Sequence, residues 1–144
     1  PGKVALFLEK EGEAGFGTAE GDTVGALIEA GGKRLAYIPG CAAVPDDLKA
    51  TVAGADCLLF DGTLYTDDEM VTGKESPKTG ARMGHISIWG DDGAIAAWDG
   101  VTLGRKFFIH LNNTNPVWLK TSAERKAVEA AGWGVCHDGM EITL

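Results

Sequence analysis

Short apolar runs separated by glycine and proline set the rhythm of this chain, and most of them have the length of a strand. Residues 4–9 form the first run, followed by a Gly- and Glu-rich loop or hairpin over 10–21 with little to bury. Residues 23–30 alternate loosely and end at Gly31-Gly32. A second strand over 34–38 stops at Pro39-Gly40, so the pair predicts a hairpin. Pro45 opens a helix with Asp46 and Asp47 in its first turn, where carboxylates complement the helix dipole. Leu48 and Val52 give that helix one apolar face up to Gly54. Residues 56–61 contain an unbroken apolar run between Gly54 and Gly62, the pattern of a strand buried on both faces, with Asp61 at its carboxyl end.

Downstream, Thr66 and Glu69 have the spacing of a capping box for one helical turn over 66–70. Residues 73–84 are rich in Gly, Lys, Ser, Pro and Thr and predict a loop that delivers His85. A short helix is expected over 91–100. Residues 107–111, aromatic and β-branched, form a strand bracketed by Gly104 and Pro116, with His110 at its carboxyl end. Asn112, Asn113 and Asn115 suit the loop that follows, because Asn bonds nearby backbone and tolerates left-handed conformations, while Pro116 biases Asn115 toward an extended one. Ser122 caps a helix over 123–131, with Val128 inward, Arg125, Lys126 and Glu129 outward, and Gly132 as its stop. Two strands, 133–137 and 140–144, are expected to pair through Asp138-Gly139.

With 144 residues the chain is one domain and long enough to bury a core. No apolar stretch approaches the roughly 18 residues of a membrane span, so no membrane partner is expected. Thirteen basic against 21 acidic residues leave a net charge of −8, which disfavours nucleic acid as a partner. Cys41, Cys57 and Cys136 are odd in number and lack paired metal-knuckle spacing. They read as small core residues in a reducing compartment, the cytoplasm. The chain opens on Pro1, which implies a processed or truncated piece.

Three polar residues ride at strand or loop ends: Asp61, His85 and His110. In an open α/β sheet such groups converge outside the carboxyl ends of the strands, where an Asp and two His suit a divalent metal or acid–base chemistry. For His110 alone, a satisfied core histidine stands level with a metal ligand or proton carrier. Lys74, Lys78 and Arg82 are a local excess of cations in an acidic chain, open either to a solvated loop or to a functional one. His137, beside the expected terminal turn, reads as a surface residue.

A resemblance narrows these alternatives. Gly-Asp-Thr-Val-Gly at 21–25, Arg-Leu-Ala-Tyr-Ile-Pro-Gly at 34–40 and Ala-Asp-Cys-Leu-Leu-Phe-Asp-Gly-Thr at 55–63 carry its first part. Lys-Thr-Gly-Ala-Arg-Met-Gly-His at 78–85, Ile-His-Leu-Asn-Asn-Thr-Asn-Pro at 109–116, Ala-Gly-Trp at 131–133 and Asp-Gly-Met-Glu-Ile at 138–142 carry the rest. Together they resemble the carboxyl-terminal half of the pyrroloquinoline quinone biosynthesis protein B family, over nearly the whole chain. The implied fold is α/β: the C-terminal half of a metallo-β-lactamase-like αββα sandwich, a mixed sheet with helices on one face. In such proteins a His-rich metal cluster and a cysteine-rich zinc motif lie in the amino-terminal half, and neither is present here.

By that resemblance His110 completes the active-site metal set, while His85 matches a proton-donating histidine and Asp61 the carboxylate that pairs with it. Relatives with two metals carry a bridging Asp in a Gly-Asp-Thr, whereas Pro39-Gly40-Cys41 stands here, so one divalent metal is implied, iron before zinc. Cys41 reads as a small core residue and not a ligand. Lys78, Arg82, Asn112 and Asn113 are assigned to substrate binding, Arg82 through its planar fork. The implied activity is metal-dependent oxidation, by ring hydroxylation, of a tyrosine-derived quinone precursor. Carriage of the finished quinone and metal-dependent hydrolysis are the alternatives. Implied partners are that peptide-derived precursor, other proteins of the same route and a second copy of the chain. Half a sandwich would also leave an apolar sheet face open, drawn from Val4, Leu6, Leu27, Tyr37, Leu58, Phe60 and Phe108 or their alternates, so that the isolated chain would self-associate or unfold.

Overall fold

The computed structural model describes residues 23–144. The expected strand at 4–9, the loop over 10–21, and Val4 and Leu6 with them lie outside the described residues. Among the described residues, five strands form one mixed sheet in chain order: β1 (Ala26–Ala30), β2 (Lys33–Ile38), β3 (Cys57–Asp61), β4 (Arg105–Ile109) and β5 (Gly134–Val135). β1 and β2 make the expected antiparallel hairpin, turning through Gly31 and Gly32 at φ 58° and 77°. All later pairings are parallel, so the chain must cross over between strands, which it does through helical segments.

Helix α1 (Asp46–Val52) carries the two acidic residues in its first turn and buries Val52. Arg34 donates from its guanidinium to the carbonyls of Thr51 and Ala53, so a β2 side chain satisfies acceptors at the end of α1. Between β3 and β4 run three single turns: α2 (Glu69–Thr72), α3 (Gly80–Met83) and α4 (Ala94–Ala97). The cap predicted at Thr66 is not formed. The Thr66 hydroxyl donates to Asp68, and the Glu69 carboxylate accepts from the Tyr65 backbone N–H, which shifts the turn toward 69–72. The helix expected over 91–100 is likewise confined to α4, begun after Gly93. The loop over 73–84 contains α3, whose Thr79 side chain accepts from the Arg82 N–H. After a 3-10 turn at Pro116–Trp118, helix α5 (Ala123–Ala130) is capped by Ser122 and buries Val128, as its pattern requires. Arg125 is not simply outward, since its guanidinium donates to the Val117 carbonyl and to Glu129.

The predicted terminal hairpin is absent. Gly134–Val135 pairs parallel to β4 instead, and no ladder follows the turn at Gly139 among the described residues. The parallel rung beside Phe108 buries Val135.

Cross-strand register divides the sheet into two faces. Ala36, Leu58 and Lys106 align, as do Ile38, Phe60, Phe108 and Val135, and these point toward the helices. There Phe60, Trp98, Phe108 and Trp133 interlock, with Phe108 stacked on Trp133 at 4.3 Å and Phe60 edge-on to Trp98 at 5.4 Å. Leu58, Phe60 and Phe108 are therefore core residues of the covered face, and of the two sets the sequence offered it is their alternates that turn the other way. The alternates Leu35, Tyr37, Leu59, Phe107 and Ile109 form the other face, half-buried or, for Tyr37, 42% exposed.

Candidate active site

The carboxyl ends of β3 and β4 carry the chemistry. β3 ends on Asp61, and its last rung aligns Asp61 with Ile109, so the next residue of β4's chain, His110, leaves the ladder beside it. His110 turns with φ 56°, the left-handed region that a residue with a Cβ seldom occupies. Backbone bonds hold the turn from both sides: Gly62 N–H donates to the Ile109 carbonyl at 2.9 Å, and Asn112 N–H to the Thr63 carbonyl at 3.0 Å. Gly62 is required there, because a Cβ would lie 2.7 Å from the Phe108 Cβ. His85 arrives from the turn after α3, fixed by its own N–H on the Gly80 carbonyl and by Ile86 N–H on the Cys41 carbonyl.

Asp61, His85 and His110 thus converge, with one potential ligand atom from each inside 4.8 Å of the others. Asp61 is fully buried and His85 nearly so, while the His110 side chain is half exposed. The Asp61 carboxylate is saturated by protein donors. Oδ2 accepts from the Cys41 N–H at 2.8 Å and faces His85 Nδ1 at 2.7 Å; Oδ1 accepts from the Thr63 N–H at 3.1 Å and hydroxyl at 2.6 Å. Four such bonds are what make a buried charge tolerable. They also place the carboxylate behind His85, holding its buried ring, and leave His110 as the more exposed of the two imidazoles. The two rings stack at 5.3 Å between centroids. The three donors lie close enough to share one ion, and imidazole suits zinc or ferrous iron, so the residues present fit a metal of that class, with His110 the more exposed donor.

Among the described residues, no other sequence candidate joins this three-residue group. Lys78 and Arg82 lie on the segment leading into His85, half-buried and exposed respectively. The Asn112 amide donates to Thr114, and Asn113 is exposed. Cys41 is buried beside the carboxylate, its Sγ on the Ala43 carbonyl. Burial first, then the Asp61 charge, pushes its thiol up to about 11, so no thiolate is on offer at neutral pH. His137 is on the surface, bonded to the Asp138 carbonyl. Thr63 escaped the sequence reading altogether, and Asn115 was read only as a loop residue with an extended backbone, which it has. Thr63 sits between all three cluster members, and Asn115 ties the loop after His110 to Gly62 and Thr63. The Asp-Gly-Thr spacing was the available signal for Thr63, since an Asp side chain readily accepts from the N–H two residues on.

Residues 4–111 match a family described as the beta-lactamase superfamily domain. The chain belongs to the beta-lactamase superfamily. Within it, this member is 58% identical over all 144 residues to coenzyme PQQ synthesis protein B of Methylobacterium sp. strain 4-46 and 51% identical to that of Xanthomonas campestris pv. campestris. It covers 48% of each, so the chain spans about half the length of the curated relatives it matches. Among solved structures it resembles zinc-bound PqqB from Methylobacterium extorquens, at TM-score 0.84 and 58% identity, over 85% of this chain and 44% of that one. No helix among the described residues is long and apolar enough to cross a membrane.

Proposed function

We propose that this chain is the carboxyl-terminal half of a metallo-β-lactamase-like domain acting in pyrroloquinoline quinone biosynthesis, where it serves the metal-dependent hydroxylation of a tyrosine-derived precursor. The observation that carries the reading is the convergence of Asp61, His85 and His110 at the strand ends of a chain similar throughout to coenzyme PQQ synthesis protein B. The apolar sheet face around Leu59 and Phe107, with relatives twice as long, supports the half-domain reading. His110 would ligate the metal, with further ligands from outside this chain, since a working site needs about three. Iron bound there would supply oxygen activation, and zinc only Lewis acidity.

The chain's own residues do the rest. His85, its ring held by Asp61, moves a proton at the substrate through Nε2. Lys78 and Arg82 take substrate carboxylates, and Asn112 and Asn113 hydrogen-bond the precursor at the loop after His110. Zinc in a related crystal structure gives the hydrolytic reading its specific support.

The test uses a protein of the relatives' full length containing this chain, with ferrous iron, oxygen, a two-electron reductant and a Glu–Tyr peptide. One oxygen atom should enter the ring and the other leave as water, read as oxygen uptake matched by a gain of one oxygen in product mass. Peptide cleavage with zinc and no oxygen uptake would replace this reading with hydrolysis. Metal-independent binding of the quinone, with neither reaction, would replace it with carriage.

A further inference from the structure

We infer that Thr63 is the positioning residue that fixes the His110 tautomer, giving both site histidines a protonated Nδ1 and an Nε2 lone pair. Thr63 Oγ1 lies 2.6 Å from Asp61 Oδ1, 3.0 Å from His85 Nδ1, 2.9 Å from His110 Nδ1 and 3.1 Å from the His110 carbonyl. A hydroxyl has one proton to give. A carboxylate can only accept, so the shortest contact is Thr63 donating to Asp61 Oδ1, and the proton is spent there. Every nitrogen against Oγ1 must then be a donor, and His110 Nδ1 carries hydrogen. His85 Nδ1, at 2.7 Å from Asp61 Oδ2, donates to that oxygen for the same reason. The His110 carbonyl is a neighbour of the hydroxyl and not its acceptor.

One buried carboxylate therefore sets two rings, His85 directly and His110 through the Thr63 hydroxyl, whose residue is only 8% exposed. The direct arm is short and charge-assisted; the relayed arm keeps His110 Nδ1 at 3.9 Å from Asp61 Oδ1, beyond hydrogen-bond range without Thr63. The use made of the two lone pairs, metal for His110 and proton for His85, rests on the function proposed above. The tautomers themselves do not.

Long-range proton–nitrogen NMR on a nitrogen-labelled protein of full length, metal-free and at a pH where both rings are neutral, reads the tautomers directly. Both rings should show hydrogen on Nδ1. Thr63→Val, which keeps shape and drops the hydroxyl, should leave His85 unchanged and move His110 toward the Nε2–H form. It should also weaken zinc binding by roughly 10–100-fold, the usual cost of losing a group that orients a ligand. Thr63→Ser should restore both. His110 bearing its proton on Nε2 in the unaltered protein overturns the inference, even if Thr63→Val fails to fold. An unchanged His110 tautomer or unchanged zinc affinity in a folded Thr63→Val overturns it as well. Neither measurement involves substrate or oxygen, so failure of the hydroxylation reading is distinguishable from failure here.

Discussion

Replacing Asn115 by alanine should be far more damaging than its place in an Asn-rich loop suggests. The side chain is 2% exposed; its amide donates to the Gly62 carbonyl at 2.9 Å and the Thr63 carbonyl at 3.3 Å, and its oxygen accepts from the Val117 N–H at 3.1 Å. In Asn115→Ala the Thr63 carbonyl keeps the Asn112 N–H as a donor, whereas the Gly62 carbonyl and the Val117 N–H lose the bonds they make to this side chain. An unsatisfied buried group costs about 1–3 kcal/mol, and water entering the small void recovers part of that, so two give about 2–4 kcal/mol. With a urea slope of roughly 1–3 kcal/mol/M, the unfolding midpoint of the full-length protein should fall by about 1–2 M at constant slope. Asn113→Ala, at an exposed neighbour, should stay within about 0.5 kcal/mol. A loss below about 1 kcal/mol for Asn115→Ala, or one equal to that of Asn113→Ala, would refute the argument that Asn115 clamps the strand-end loop.

Two further outcomes follow from the packing. Gly62→Ala puts a methyl 2.7 Å from the Phe108 Cβ and 3.1 Å from the Ile109 carbonyl, so the β3 and β4 ends must part. A destabilisation of about 1–3 kcal/mol with weakened zinc binding is expected in titration, and wild-type affinity would show that the strand ends have slack. Cys41, with its folded-state pKa raised from 9.0 to about 11, contributes stability that is fully present below about pH 9 and lost as pH rises through 11. The loss is on the order of 2–3 kcal/mol, and Cys41→Ala should lack it. Parallel alkaline stability curves for the two proteins would remove the buried-thiol account.

Local signals proved readable where chain neighbours decide the outcome. The Gly31-Gly32 hairpin, α1 after Pro45, the Ser122 cap and the buried run of β3 all depend on residues within a few positions. Asp138-Gly139 looked equally local, yet no strand follows it among the described residues, and the strand before it pairs parallel with β4, more than two dozen residues away. The site divides in the same way. Asp61, His85 and His110 announced themselves as polar residues at strand or loop ends; the parallel order of β3 and β4 brought Asp61 and His110 together, and the turn after α3 added His85. Thr63 did not, because a hydroxyl's role depends on which nitrogens meet it, and those come from 22 and 47 residues away.

The choice of face was the least legible feature, although it matters most for the site. Alternation names two sets of strand residues and leaves open which set meets the helices; a single-residue shift exchanges them. Here α1, α4 and α5 bring Val52, Ala94 and Val128 onto the Leu58–Phe60–Phe108 side. Leu59 and Asp61, two residues apart on β3, consequently share the opposite side. A layer that covers the row Tyr37, Leu59 and Phe107 must then run toward the edge where Asp61 holds His85 and the His110 ring stands half exposed. Covering that face and walling the site are accordingly demands on one and the same surface.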